Sequence, residues 1–121
     1  MIRLNSLVLA YLGDSIYEII VRKYLIDKGI VKVKELQKES IKYVSANSQA
    51  LVLREMMDNN FFSEEELKII ITARNHKNNH KPRNCDIITY KYATGLEALI
   101  GYLKLEEKEE RIKEIMKNIL A

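Results

Sequence analysis

The sequence predicts an all-α fold, and three observations carry that prediction. Only four Gly and one Pro punctuate the 121 residues. Apolar side chains recur at three- and four-residue spacing through most of the chain, while the strict alternation of a half-buried strand is scarce. Apolar residues make up 47% and charged residues 31%, which is enough apolar surface for a packed core and too much for a disordered polymer. A chain of this size should bury roughly two thirds of its unfolded surface. With no repeat, linker or low-complexity tract, one domain over residues 1–121 is expected.

The first helix is expected from Asn5 to Lys28, with Leu4, Leu7, Val8, Tyr11, Ile16, Ile19, Ile20 and Tyr24 on one broad apolar face and Gly29 as its terminator. From Lys34 to Asp58 the spacing of Leu36, Ile41, Val44, Leu51, Val52 and Met56 is again helical. Ser45, Asn47 and Ser48 compete for backbone hydrogen bonds in its middle, which leaves one bent helix or two. Asn59-Asn60 then punctuates the chain. Ser63 and Glu66 have capping-box spacing, so a helix from Glu64 to Arg74 follows. Residues Asn75 to Asn84 hold four Asn, two His, three cationic residues and the single Pro, the composition of an exposed loop. Asp86 caps a helix to about Leu103, with Leu96, Leu99, Ile100 and Leu103 inward. Glu106 to Leu120 forms a last amphipathic helix with Ile112, Ile115, Met116 and Ile119 inward.

Charge and cysteine content narrow the function classes. The net charge of +3 permits a polyanionic partner without requiring one. The lone Cys85 cannot form an internal disulfide, and the first residues lack the charged-then-apolar pattern of a signal peptide, so a reducing cytoplasm is expected. No apolar run reaches the roughly 20 residues of a membrane span. The cations are locally concentrated: Arg74, Lys77, Lys81 and Arg83, with His76 and His80 between them and no acid among them.

Two segments place acids where acids are costly. In Ala10-Tyr11-Leu12-Gly13-Asp14-Ser15-Ile16-Tyr17-Glu18 a glycine and two carboxylates interrupt an apolar helix. Glycine costs about 1 kcal/mol relative to Ala inside a helix, and a buried carboxylate needs a partner or a metal. Asp14 and Glu18 share one side of the helix and could share a cation. The plainer reading is that Gly13 permits a close helix contact while both acids pair with Arg22 or lysines. In Tyr92-Ala93-Thr94-Gly95-Leu96-Glu97-Ala98-Leu99-Ile100-Gly101, Glu97 borders an apolar face, against the plainer reading of an exposed helical glutamate. Acids from two helices would suit a hard cation such as magnesium, which takes oxygen ligands.

Tyr11-Leu12-Gly13-Asp14-Ser15-Ile16 resembles the signature helix of ribonuclease III catalytic domains, and Leu96-Glu97-Ala98-Leu99-Ile100-Gly101 resembles their second acidic motif. In this order, with Ala73-Arg74-Asn75 before a polar loop and no double-stranded-RNA-binding domain after them, they resemble the Mini-ribonuclease III family over essentially the whole chain. The resemblance implies a ribonuclease III-like helical bundle that works as a homodimer, with magnesium-dependent hydrolysis of double-stranded RNA and 5′-phosphate products with short 3′ overhangs. It implies a role in maturing the large (23S) ribosomal RNA, with a large-subunit ribosomal protein on the substrate as a further expected partner and Mn2+ as a substitute for Mg2+. Asp14 and Glu97 match the catalytic, metal-holding positions. Leu7, Ala10 and Thr94 stand where full-length enzymes have further acids, which leaves open the number of metals and a supporting role for Glu18 and Thr94.

The loop residues Arg74, Asn75, Lys77, Lys81 and Arg83 are the expected RNA contacts. Cations would neutralise phosphates and Asn side chains would bond 2′-hydroxyls or base edges across the shallow minor groove of A-form RNA. Rival readings are a plain solvated loop and a zinc site of His76, His80 and Cys85, the latter without a paired Cys-x-x-Cys. Most of the seven tyrosines, among them Tyr11, Tyr17 and Tyr24 of the first helix, are expected in core or interface rather than stacked on bases. No side chain offers an activated nucleophile, so hydrolysis without a covalent intermediate is expected. The competing function is a ribonuclease III-like RNA-binding scaffold without activity in ribosome assembly, and a protein-interaction domain without an RNA role would require the basic loop to be inert.

Overall fold

A computed structural model describes residues 5–77 and 85–121. Six helices follow in order: α1 (Ser6–Asp27), α2 (Val33–Val44), α3 (Ala46–Asp58), α4 (Glu64–Arg74), α5 (Ile87–Leu105) and α6 (Glu109–Leu120). No strand occurs among the described residues.

Each boundary has a local cause. Asn5 Oδ1 accepts from the Leu7 amide at 2.7 Å to start α1, and Gly29, at φ 97°, lets the chain leave it. Ser45 settles the question of one helix or two. At ψ 151° it ends α2 and caps α3, where its hydroxyl accepts from the Ser48 amide. Asn60, in the left-handed region at φ 57°, ends the α3 segment, and Ser63 and Glu66 form the expected capping box of α4. Asp86 Oδ1 accepts from the Thr89 amide to start α5. The last helix begins at Glu109 rather than Glu106, because Glu107 takes φ 58° and breaks the helical run.

Helix α5 is the centre of the bundle. Ala93, Thr94, Gly95, Leu96, Ala98, Leu99, Ile100, Gly101 and Leu103 are all buried, as a helix surrounded by others requires. It packs against α1, α3, α4 and α6. The core joins Leu96, Leu99, Ile100 and Leu103 to Tyr17 and Val21 of α1, Leu53 of α3, Ile70 of α4 and Ile115 of α6. Burial of each such side chain contributes about 1.5–3 kcal/mol before its ordering entropy is counted. On α6 the expected inward set, Ile112, Ile115, Met116 and Ile119, is buried.

On α1 the buried face differs from the expected one. Leu9, Ala10, Gly13, Tyr17, Val21 and Leu25 face the core, whereas Val8, Tyr11 and Ile19 of the expected face are exposed, Tyr11 at 83%. Leu4 lies outside the described residues. The reason is steric: the inward ridge carries the helix's small residues, Ala10 and Gly13, and only that side lets α5 approach closely. On α2 and α3 a similar correction applies. Ile41 and Leu51 are exposed, and Gln49, Ala50 and Leu53 take the core side with Met56.

Candidate active site

The closest approach in the bundle brings two acids together. A Cβ added at Gly13 would collide with the carbonyl oxygen of Glu97, and one added at Gly101 would collide with the carbonyl oxygen of Leu9. The pairings 13 with 97 and 9 with 101 make α1 and α5 antiparallel, backbone against backbone. Asp14, next to Gly13, therefore stands beside Glu97, and the two carboxyl groups are within hydrogen-bonding reach. Gly13 thus has the close-contact role that its position in an apolar helix suggests, and that contact is what builds the acidic pair.

The surroundings of Glu97 do not neutralise it. Gln49 of α3, itself buried, donates from Nε2 to Glu97 Oε2 at 3.5 Å. The other groups acting on the carboxyl are acids: Asp14 directly and Glu18 at longer range. Burial, then the hydrogen bond and negative charge of Asp14, push the Glu97 carboxyl up to about 8. Nearby Tyr17 is pushed upward as well, by burial and by the charge of Glu97, and its hydroxyl donates to the Tyr43 carbonyl at 2.9 Å. A half-buried carboxyl beside an exposed one, both offering only oxygen atoms, is a donor set that suits a hard cation. Among the described residues no three His, Cys, Asp or Glu side chains converge on one point, so the pair stands alone.

Comparison with known proteins places this chain in a family. The Ribonuclease III domain family matches residues 7–108. The chain is 50% identical to "Mini-ribonuclease 3" of Brevibacillus brevis over 97% of its own length and 86% of that protein. It is 41% identical to the Staphylococcus aureus protein of the same name, over 98% and 88%. The chain belongs to the ribonuclease III family, in its Mini-ribonuclease 3 group. A crystal structure of a Fusobacterium nucleatum protein, 38% identical, superposes with a TM-score of 0.85 over 96% of this chain and 91% of that one. Membership makes the protein a ribonuclease of the endonucleolytic kind and confirms the all-helical fold expected from its spacing.

The remaining expected site residues are dispersed. Glu18 takes the plainer course: its Oε1 accepts from Arg22 Nη2 at 3.1 Å, and it reaches Glu97 only through its charge. The Thr94 side chain is buried, and its hydroxyl donates to the Tyr90 carbonyl at 3.0 Å, one turn back along α5. Arg74 ends α4 and Asn75 caps it, with Asn75 Oδ1 accepting from Arg74 Nε at 3.2 Å. Lys77 is exposed. Lys81, Arg83 and the His80 of the zinc reading lie outside the described residues. Sequence reasoning missed Gln49, Arg54 and Tyr92. Gln49 carries a signal in hindsight, an amide on the core side of an amphipathic helix, whereas the meeting of Arg54 with Tyr92 depends on a contact across 38 positions of chain.

Proposed function

We propose that the protein is a divalent-cation-assisted endoribonuclease that cuts double-stranded RNA as a homodimer. The observation that carries this is the Asp14–Glu97 pair, held by backbone contact between α1 and α5 with no cationic side chain acting on Glu97 among the described residues. Asp14 and Glu97 would hold Mg2+, with Mn2+ as a substitute. When bound, the cation supplies Lewis acidity and offsets negative charge at the scissile phosphate.

The chain's own residues do the rest. Gly13 and Gly101 fix the distance between the two acid-bearing helices, and the Gln49 amide orients the Glu97 carboxylate from α3. Proton release from Glu97 precedes its use as a ligand, so cation binding is coupled to pH. Glu18, tied to Arg22, adds negative potential without donating an oxygen. Thr94 is buried one turn before Glu97, its hydroxyl bonded back to the Tyr90 carbonyl of its own helix. Arg74, Lys77, Lys81 and Arg83 neutralise phosphates of the duplex, and Asn75 bonds 2′-hydroxyls or base edges.

Two sites are needed to cut two strands, and a symmetric dimer provides them. The exposed apolar edge of α1, Val8 at 50%, Tyr11 at 83% and Ile19 at 66%, supports a second copy docking on the helix that carries Asp14. The substrate we propose, on the strength of the family, is duplex in precursor 23S ribosomal RNA, with a large-subunit ribosomal protein as its companion and the cytoplasm as its compartment. Residues 1–121 act as one catalytic domain in this reading.

The test is cleavage of a labelled RNA duplex in magnesium by the parent and by Asp14→Asn and Glu97→Gln proteins, with folding checked by circular dichroism and dimerisation by sedimentation. Cutting of both strands by the parent and by neither folded variant supports the assignment. A parent that binds duplexes and never cuts them is a scaffold.

A further inference from the structure

Away from the carboxylate pair, two guanidinium groups converge on one aromatic ring. Arg54 of α3 lies over the Tyr92 ring of α5 at 4.7 Å from its centroid, and Arg74 at the end of α4 lies over the same ring at 5.4 Å. Arg74 Nη1 also approaches the Tyr92 hydroxyl at 3.4 Å. No acid neutralises either side chain among the described residues. Arg54 is exposed and forms no hydrogen bond or ion pair there, and among the described residues Arg74 donates to Asn75 and Tyr92. Cation–π attraction of about 0.5–1 kcal/mol per exposed contact holds each cation to the ring without cancelling its charge. An anion would supply that counter-charge.

The position of the cluster suggests which anion. Gln49 meets Glu97 and Arg54 meets Tyr92, so each contact is displaced by five residues along antiparallel α3 and α5. At 1.5 Å per helical residue the cluster sits about 7.5 Å along the same seam from the acidic pair, a length that one nucleic-acid strand covers in about two nucleotides. A strand whose phosphate approaches Asp14 and Glu97 meets negative charge there, and its neighbouring phosphates need positive charge close by. Planar, fork-shaped guanidinium groups suit phosphate oxygens, and stacking on Tyr92 holds them preformed.

We propose that Arg54 and Arg74, stacked on Tyr92, form a phosphate-binding subsite that grips the sugar-phosphate backbone of the RNA about two nucleotides from the cleavage position. Tyr92 is a positioning residue in it. The inference rests on the nucleic-acid reading above, and it adds Arg54 and Tyr92, which lie outside the polar loop.

The test is the salt dependence of duplex binding, read by anisotropy of a labelled RNA duplex in EDTA, beside cleavage of the same duplex in magnesium. Arg54→Gln should lower the slope of log affinity against log salt by about 0.9 per subsite, which shrinks the affinity lost between about 50 and 200 mM salt roughly 3-fold. Arg54→Lys should restore the slope while binding several-fold more weakly than the parent. Tyr92→Leu should weaken binding at nearly unchanged slope, and Tyr92→Phe should stay close to the parent. If Arg54→Gln lowers the melting temperature and leaves both slope and affinity at parent values, the cluster is a tether between α3 and α5 and the subsite is wrong. A parent that binds with an Arg54-dependent slope and never cuts overturns the enzyme and keeps the subsite. A parent that binds no duplex at any salt overturns both.

Discussion

Glu66 and Glu97 are both helical glutamates turned toward the interior, and their surroundings drive them in opposite directions. Burial alone would raise the Glu66 carboxyl. Hydrogen bonds from Arg111 and from the Ser63 backbone outweigh that and hold it below the usual carboxylate range. Arg111 meets it through Nε and Nη2, both at 2.8 Å, while Nη2 also donates to the Phe61 carbonyl. One ion pair thus locks α6 to the start of α4. Glu97 receives one long amide contact and another acid, and its carboxyl is pushed up to about 8. An acid that serves the fold arrives with its counter-charge; an acid kept without one raises the energy of the folded chain, and the cation site proposed above would account for its presence. On the proposed function, the two corners separate stability from activity in one small protein.

The widest separation should come from Glu97→Gln. Cleavage should fall by about 10^3-fold or more, roughly 4 kcal/mol of transition-state stabilisation. The melting temperature in EDTA at pH 8 should hold or rise, because a neutral amide replaces a poorly solvated carboxylate. A variant that melts well below the parent would put Glu97 with Glu66 as a structural acid. Gly13→Ala should rank next, with a loss of about 3 kcal/mol or more in urea unfolding, the upper range for overpacking, because the new methyl meets α5 backbone that no rotamer change can move. Its surviving folded fraction should bind Mg2+ poorly, since α1 and α5 must part to accommodate it. At the opposite corner, Glu66→Gln should cost about 2–3 kcal/mol by leaving Arg111 partly buried without its anion, with kcat per folded molecule unchanged. A fall in kcat would join the two corners.

How much of this was legible in the sequence follows from how local each cause is. The capping box of Ser63 and Glu66 and the Asp86 cap are set within four residues, and the sequence predicts both, while at Ser45 it left one bent helix or two open. Gly13 beside Asp14, and Glu97 between small residues, could be seen as unusual because each breaks the rule of its own helix. Their union could not be read from spacing, since it depends on α1 crossing α5 in one register. The inward face of α1 was misjudged because large apolar residues lie on several sides of that helix, and close packing selected the side with Ala10 and Gly13. Glu66 was recognised as half of a cap, while its ion pair with Arg111, 45 positions away, had no local mark. Arg54 and Tyr92 met the same limit.

The smallest predicted effects are slopes, and they invert between the two acids. For Glu97 the folded chain keeps a proton that the unfolded chain has released, over the window from about 4.5 up to about 8. Folding then binds a proton, so this group makes stability fall as pH rises through that window, by at most about 1.4 kcal/mol per pH unit. For Glu66 the folded carboxyl stays ionised where the unfolded one protonates, so its contribution is present above about pH 4.5 and is lost as pH falls through its lowered folded value. Urea unfolding in EDTA from pH 4 to 9 should show the Glu97 slope in the parent and its loss in Glu97→Gln, while Glu66→Gln should alter only the acid limb. Adding Mg2+ should flatten the upper window, because a bound cation favours the ionised carboxylate that folding alone disfavours. A parent curve that is flat between pH 5 and 8 without metal would mean that Asp14 and Glu97 are already compensated in solution, and the contrast between the two corners would collapse.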